Sequence, residues 1–468
     1  MPDLFSFIDA VRRARPREVL DIRRVVSPKY ETAAIVTKLE QAARHPIVFF
    51  HRVDGSAFPV VSNVCGSRSR LGLALSCSVR ELPWRYAEAC EQPIKPQVQK
   101  DGPVQEQVFV RNDVNLEMLP QLVYHQDDAA QPYITAAIIV ARDPETGKSN
   151  LSFHRLMILN KKTTAIFMPR GKRLELIYRK YESAGEPMPI AAFIGVHPAC
   201  SLGALYRGPA GVEEYDIVGG LLRAPLAVVR CQTNNLCVPA QAQIALEGFV
   251  SPKRRVKEGP FSEFIGYSSG SSACPVFTVN ALTCREHAIF QDIVSGLTEH
   301  LLLPIPGIEY GLRALARAAV PATTAVKVSV PLTAFVAVKK QDDSEPERIL
   351  EALLSSDIDV KQVVVVDADV DVSNLRQVAA AIALHTRPER DILIKRRLPG
   401  SELGSSCVSL DEYAIKIGIN ATLPLSGRRT ANKGRVPQHL LDAINLSELL
   451  LQADSAAVRG DAATKKAL

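Results

Sequence analysis

The chain has 468 residues, 47% of them hydrophobic and 23% charged, with a net charge of +6. That is the balance of an ordinary globular protein, too long for a single core and best divided into two or three domains. No apolar run reaches the roughly eighteen residues that span a bilayer, so no membrane partner is expected. The Met1-Pro2-Asp3-Leu4 start carries an early acid and lacks the basic-then-apolar order of a signal peptide, which makes a cytoplasmic location the expectation. The nine cysteines are scattered with no Cys-x-x-Cys pair, so neither a zinc site nor a disulfide framework is implied. The densest basic cluster, Lys253-Arg254-Arg255-Val256-Lys257, has no interleaved aromatics and reads as a solvated loop rather than a nucleic-acid surface.

In chain order, residues 1–106 mix helical and strand signals. Ile35, Leu39 and Ala42 share a helical face, and Ile47-Val48-Phe49-Phe50 reads as a buried strand. Pro93, Pro96 and Pro103 punctuate the exit from this N-terminal α/β domain. Residues 107–305 change to short β-rich runs, at 133–141, 163–168, 190–196, 227–231 and 276–279, the pattern of a barrel or sandwich. A helix over 309–319 is expected within a linker at 306–325. Residues 326–456 then alternate strands (333–339, 363–366, 392–395) with helices (347–355, 375–384), the order of an α/β domain with parallel pairing. The small, charged tail at 457–468 is expected to be disordered.

Two segments carry the candidate chemistry. Asn150-Leu151-Ser152-Phe153-His154-Arg155 offers an amide and a guanidinium, and Glu258-Gly259-Pro260-Phe261-Ser262-Glu263 offers two carboxylates across a Gly-Pro turn. One fixed cation and two acids suit a proton relay, because the cation holds one carboxylate ionised while the other carries a proton. Taken alone, an Arg near two Glu is more often a surface ion-pair cluster.

The surrounding text resembles the UbiD family of decarboxylases, which use prenylated FMN. The resemblance begins at Val61-Ser62-Asn63-Val64-Cys65-Gly66-Ser67-Arg68 and passes through Asp101-Gly102-Pro103-Val104-Gln105-Glu106, Pro132-Tyr133-Ile134-Thr135 and Ala141-Arg142-Asp143-Pro144-Glu145-Thr146-Gly147. After the Asn150 to Arg155 segment come Gly211-Val212-Glu213-Glu214-Tyr215-Asp216-Ile217-Val218-Gly219, Leu246-Glu247-Gly248-Phe249 and the Glu258 to Glu263 segment. It ends at Val366-Asp367-Ala368-Asp369-Val370-Asp371 and Gly418-Ile419-Asn420-Ala421-Thr422. The resemblance implies a central split β-barrel of flavin-reductase type between the two α/β domains, an α/β (α+β multidomain) fold. It also implies pairing through the C-terminal domain into a homodimer or a multiple of one.

By the same resemblance Arg155, Glu258 and Glu263 form the catalytic network, with Glu263 cycling the proton. Asn150, Ser152, Phe153, Arg155, Lys172, Arg173 and Glu214 would hold the cofactor. Asn150 and Glu214 match two ligands of a divalent metal, Mn2+ or Mg2+, beside its phosphate, where a hard cation keeps carboxylate and phosphate from repelling. The family's third ligand is a His, and here that stretch reads Pro169-Arg170-Gly171-Lys172-Arg173, with no His. A guanidinium or ammonium there could bind the phosphate directly. Gly203, Ala204 and Tyr206 fall where family carbonyls hold a monovalent ion, K+.

His154 alternates with Arg155 along a presumed strand and reads as a packed or surface histidine, with a substrate contact as the other reading. Asn420 replaces the acid more usual in relatives. Gly266-Tyr267-Ser268-Ser269-Gly270 fits the Gly-x-Ser-x-Gly pattern of serine hydrolases, but it leads into a strand and not a helix, so it reads as a turn. Leu301-Leu302-Leu303-Pro304-Ile305-Pro306 is a pocket wall or a packed linker. The expected activity is reversible, non-oxidative decarboxylation of an aromatic, heteroaromatic or α,β-unsaturated carboxylic acid, releasing CO2, with a prenyl-flavin synthase as cofactor supplier. The alternatives are a flavin-binding oxidoreductase on the same barrel, or a non-catalytic subunit of a larger complex.

Overall fold

A computed structural model of the chain describes residues 2–208, 211–330, 332–398, 414–426 and 436–446. It separates into Met1–Thr422 and Leu423–Leu468; in the second the described structure includes one short helix, Gln438–Asp442. The tail at 457–468 lies outside the described residues.

The helix Leu4–Ala14 places Leu4, Phe7, Ile8 and Val11 on one face, the spacing of a buried stripe. Asp3 caps it, accepting the Ser6 N–H at 2.7 Å while donating its own N–H to Ser6 Oγ at 2.8 Å. A four-stranded sheet follows in the order Val19–Val26, Ile47–Val53, Val60–Ser62 and Phe290–Asp292. Its last strand returns from far along the chain, so the N-terminal sheet and the central sheet share a wall.

The central sheet has nine strands. Its path runs Tyr133–Ile134, Leu156–Asn160, Thr163–Ile166, Ser272–Cys284, Ile244–Glu258, Met188–Ile194, Ile138–Arg142 and Ser149–Phe153, and Gln107–Val110 adds to Ser272–Cys284. Among the described residues the pairings trace an open path rather than a ring, so what stands is a mixed α/β multidomain fold. The Lys253 to Lys257 cluster is part of the Ile244–Glu258 strand and not a loop. Its register with Ser272–Cys284 breaks between Val250 and Arg255, and pairing resumes from Arg255 to Glu258. The Lys253 and Arg254 N–H groups go to Ser251 Oγ, the ladder resumes at Arg255, and Lys253, Arg254, Arg255 and Lys257 stay exposed, which is why charge alone misread it.

The C-terminal sheet runs Thr323–Val330, Thr333–Val338, Gln362–Asp367, Ala414–Ala421, Ile392–Leu398. The middle three are parallel and each edge strand is antiparallel. Val363 and Val365 enter one core and Val364 and Val366 the other, all four fully buried, as a strand covered on both faces requires. The helix Ile305–Ala319 covers one face and runs directly into the Thr323–Val330 strand. No helix among the described residues is long and apolar enough to cross a membrane, and the eight described cysteines are all free.

Candidate active site

Arg155 lies in the two-residue link between the edge strand Ser149–Phe153 and the strand Leu156–Asn160 and turns its side chain inward, where only 8% of it is exposed. Its Nε and Nη2 donate to the two oxygens of Glu258 at 2.8 and 2.9 Å, a bidentate fork. Its Nη1 donates to Glu263 Oε1. The Cζ atom lies 3.9 Å from the Phe167 ring centroid and 4.9 Å from that of Phe261, so two aromatic faces bracket the cation. Burial disfavours the charged guanidinium, but the hydrogen bonds and charges of Glu258 and Glu263 outweigh it and hold Arg155 above its ordinary range. The three predicted catalytic side chains therefore converge.

The loop that carries both acids is fixed by its backbone. Gly259 has φ +79°, and a Cβ there would meet Gly270 O at 2.3 Å, so glycine is required. Asp128 Oδ1 accepts the Ser262 N–H at 2.7 Å, and the Ala129 N–H reaches Pro260 O at 2.6 Å. The Gly266 to Gly270 turn closes the loop, with Glu263 N–H donating to Tyr267 O at 2.8 Å. Ser269 Oγ accepts from Arg155 Nη2 at 3.3 Å and donates to Phe261 O at 3.2 Å. Ser269, next to the Ser268 of the hydrolase-like pattern, thus supports the arginine, and the strand Ser272–Cys284 follows it.

A cavity of about 460 Å³ opens beside this cluster. Glu263 lines it together with Arg155, His154, Arg207 and His300, whereas Glu258 is only 1% exposed and stands behind Arg155. Leu301, Leu302, Leu303, Pro304 and Ile305 form part of its wall, and Val328 and Val360 close it from the C-terminal sheet side. His154 is packed, not superficial. Its Nδ1 faces Phe167 O at 2.8 Å, which can only accept, so Nδ1 carries the hydrogen and Nε2 accepts from Ser152 Oγ at 2.9 Å. Ser152 Oγ in turn accepts from Asn150 Nδ2 at 3.0 Å. Burial, with Arg207 and Arg155 adding to it, pushes His154 down to about 4, so it is a neutral link. His300 is likewise pushed down to about 4 by burial and by Arg155.

Glu214 opens the helix Glu214–Leu222, and its side chain is 3% exposed. Its Oε2 accepts the Leu151 N–H at 3.0 Å, and Glu213 Oε1 accepts the Ser149 N–H at 2.6 Å. These acids satisfy the outward N–H groups of an edge strand. Glu214 Oε1 takes Arg173 Nη1 at 2.6 Å. Burial pushes Glu214 up to about 7, against the pull of Arg173. Lys172 turns instead to Asp359, 3.0 Å from each oxygen. Among the described residues no group of three His, Cys, Asp or Glu side chains gathers as metal ligands. Ala204 follows the short helix Pro198–Gly203, and the Tyr206 N–H bonds Gly203 O at 3.1 Å. Asn420 serves locally, accepting the Thr422 N–H at 3.1 Å and its hydroxyl at 2.8 Å. Asp128, Ser269, Arg207 and His300 carried no motif of their own; only the Gly-x-Ser-x-Gly turn pointed near one of them.

The fold and this site define a carboxy-lyase of the UbiD class. Residues 12–90, 96–298 and 309–421 match the N-terminal, Rift-related and C-terminal domains of the family described as 3-octaprenyl-4-hydroxybenzoate carboxy-lyase, and the chain belongs to it. It is similar to the anhydromevalonate phosphate decarboxylases of Methanothermobacter thermautotrophicus, at 32% identity over 90% of this chain and 97% of that protein, and of Methanosarcina mazei, at 30% over 90% and 96%. Among solved structures it resembles the UbiD-class enzyme HmfF from Pelotomaculum thermopropionicum in complex with FMN, with TM-score 0.86 and 33% identity over 96% of this chain and 100% of that one. An evolved dimeric form of HmfF with prFMN gives TM-score 0.84 and 32% identity over 96% and 99%.

Proposed function

We propose that the chain is a reversible, non-oxidative decarboxylase of an aromatic, heteroaromatic or α,β-unsaturated carboxylic acid, with prenylated FMN as cofactor. The observation that carries this is the asymmetric pair of acids on one arginine. Glu258 has both oxygens locked by the Arg155 fork and lies outside the cavity, while Glu263 has one oxygen on Arg155 and lines the cavity. Arg155 stays protonated, and its fork fixes Glu258 in place. Glu263 is aimed by a single contact and is free to pass a proton.

The cavity suits the cofactor. It is about 460 Å³, with an apolar wall, Phe153 and Arg155 beside it, and the Arg207 cation at its edge. The HmfF structures hold FMN or prFMN on the same fold. When bound, prenylated FMN supplies the sink for the electron pair left on carbon as carbon dioxide departs. Glu263 then delivers its proton to that carbon and is reprotonated from solvent, so carboxylate and proton become carbon dioxide and the protonated product. In the carboxylation direction Glu263 removes the same proton. Leu301, Leu302, Leu303 and Ile305 would hold the apolar body of the substrate. The dimeric HmfF form supports a homodimer as the working assembly, and a prenyl-flavin synthase would supply the cofactor.

The test is Glu263→Gln. The variant is expected to fold and bind flavin while losing carbon dioxide release and deuterium exchange at the product carbon, measured across a panel of carboxylic acids. Full activity in that variant removes Glu263 from the mechanism.

A further inference from the structure

The residues at Glu214 do not fit a divalent metal. Two candidate ligands are present, Asn150 and Glu214, and no third His, Cys, Asp or Glu joins them among the described residues. Both oxygens of Glu214 are already engaged, Oε2 by the Leu151 N–H at 3.0 Å and Oε1 by Arg173 Nη1 at 2.6 Å. A dication seeking Glu214 would have to displace a guanidinium and then sit beside it. Desolvating Mg2+ or Mn2+ is repaid only by several oxygen ligands, and here one neutral amide is what remains.

The electrostatic task at this point is to let a buried carboxylate and an anion share one neighbourhood. Arg173 already performs half of it. Its side chain is 40% exposed and Nη1 bonds Glu214, so the other edge of a planar, permanently charged fork still faces outward. Arg207 is a second cation. It is exposed, lines the cavity, and makes no hydrogen bond or salt bridge among the described residues, while its charge reaches both Glu214 and His154. Lys172, the third cation of this stretch, is neutralised by Asp359.

We infer that Arg173, seated on Glu214, takes the place of a divalent metal and, with Arg207, holds the cofactor's phosphate, so that this enzyme binds its flavin without a metal. The inference rests on the proposed cofactor. Glu214 is then a positioning residue that aims Arg173, and guanidinium–phosphate bonds supply the affinity.

The experiment measures FMN binding by quenching of flavin fluorescence on the full chain, with EDTA and with added Mn2+, together with metal content by mass spectrometry. Wild type is expected to bind FMN with a Kd that changes less than twofold between the two conditions, and to carry far less than one metal per chain. Arg173→His restores a nitrogen ligand beside Asn150 and Glu214 and removes the guanidinium. It is expected to bind at least tenfold more weakly in EDTA and to recover on adding Mn2+. Arg207→Ala is expected to weaken binding equally in both conditions. Stoichiometric Mn2+ or Mg2+ in wild type, with flavin released by EDTA, overturns the inference and leaves the decarboxylase reading intact. No FMN or prenylated FMN binding in either condition defeats the cofactor reading itself, and the inference with it.

Discussion

Replacing Arg155 by lysine tests whether the fork, and not merely the charge, is what the site needs. Arg155 donates twice to Glu258, at 2.8 and 2.9 Å, once to Glu263 and once to Ser269 at 3.3 Å. A lysine ammonium in the same space keeps one bond to Glu258 and loses the second, along with the contact to Glu263 and the planar packing on Phe167. Two charge-assisted bonds at about 1.5–3 kcal/mol each amount to about 3–6 kcal/mol. At about 1.4 kcal/mol per tenfold, kcat/KM should fall by roughly two to four orders of magnitude. Folding should change little, because Glu258 keeps a cation. Arg155→Met is the contrasting variant: it strands Glu258, 1% exposed, and should cost about 3–5 kcal/mol of stability. The assay is carbon dioxide release from the cofactor-loaded enzyme, run beside urea unfolding of all three proteins. Arg155→Lys retaining more than a tenth of wild-type kcat/KM would refute the claim that bidentate geometry positions the acids.

Gly259→Ala should lose most activity, because the left-handed backbone and the 2.3 Å approach of Gly270 O force the Glu258 to Glu263 loop to move. At about 1–3 kcal/mol of strain the protein still folds, and an unchanged turnover would show that loop geometry is not critical. Glu299 is buried in the cavity-wall helix Thr298–Leu302, where its Oε1 accepts the Cys65 N–H at 2.7 Å. Burial pushes it up to about 7 from 4.5, opposed by that N–H and by Arg70. The native state therefore favours the protonated form, and the stabilisation is complete below the unfolded value and lost as pH rises through 7. Glu299→Gln does not titrate, so its unfolding free energy relative to wild type should rise by about 2–3 kcal/mol from about pH 5 to about pH 8. Parallel pH profiles in urea would contradict this.

The two short segments were legible because each packs its chemistry into a few residues. Glu258 and Glu263 flank a Gly-Pro turn that can adopt few shapes, and Arg155 closes its segment. Their convergence was not legible from local pattern, since it depends on a strand end and a loop separated by about a hundred residues meeting across a sheet. Three C-terminal strands and two helices were found nearly at their limits, because Val363 to Val366 and the Glu345–Leu354 helix bury strong periodic signals, whereas the strands Thr323–Val330 and Ala414–Ala421 were not foreseen. The Lys253 to Lys257 stretch was misread because backbone pairing, invisible in a run of exposed charges, made it a strand.

The pair Arg173–Glu214 shows why residue type alone could not separate the roles of the arginines. Arg155 and Arg173 each hold a buried glutamate, and by sequence they are equivalent cations near equivalent acids. What distinguishes them is how much of each guanidinium remains unspent. Arg155 is 8% exposed, carries two carboxylates and a serine, and is bracketed by rings, so it can orient but cannot take up another anion. Arg173 is 40% exposed, with one bond to Glu214, so a second anion can bind without breaking the first pair. The same chemistry thus serves as a rigid fulcrum at the reacting end of the cavity and as an open receptor at Glu214. That division follows from burial set by the fold.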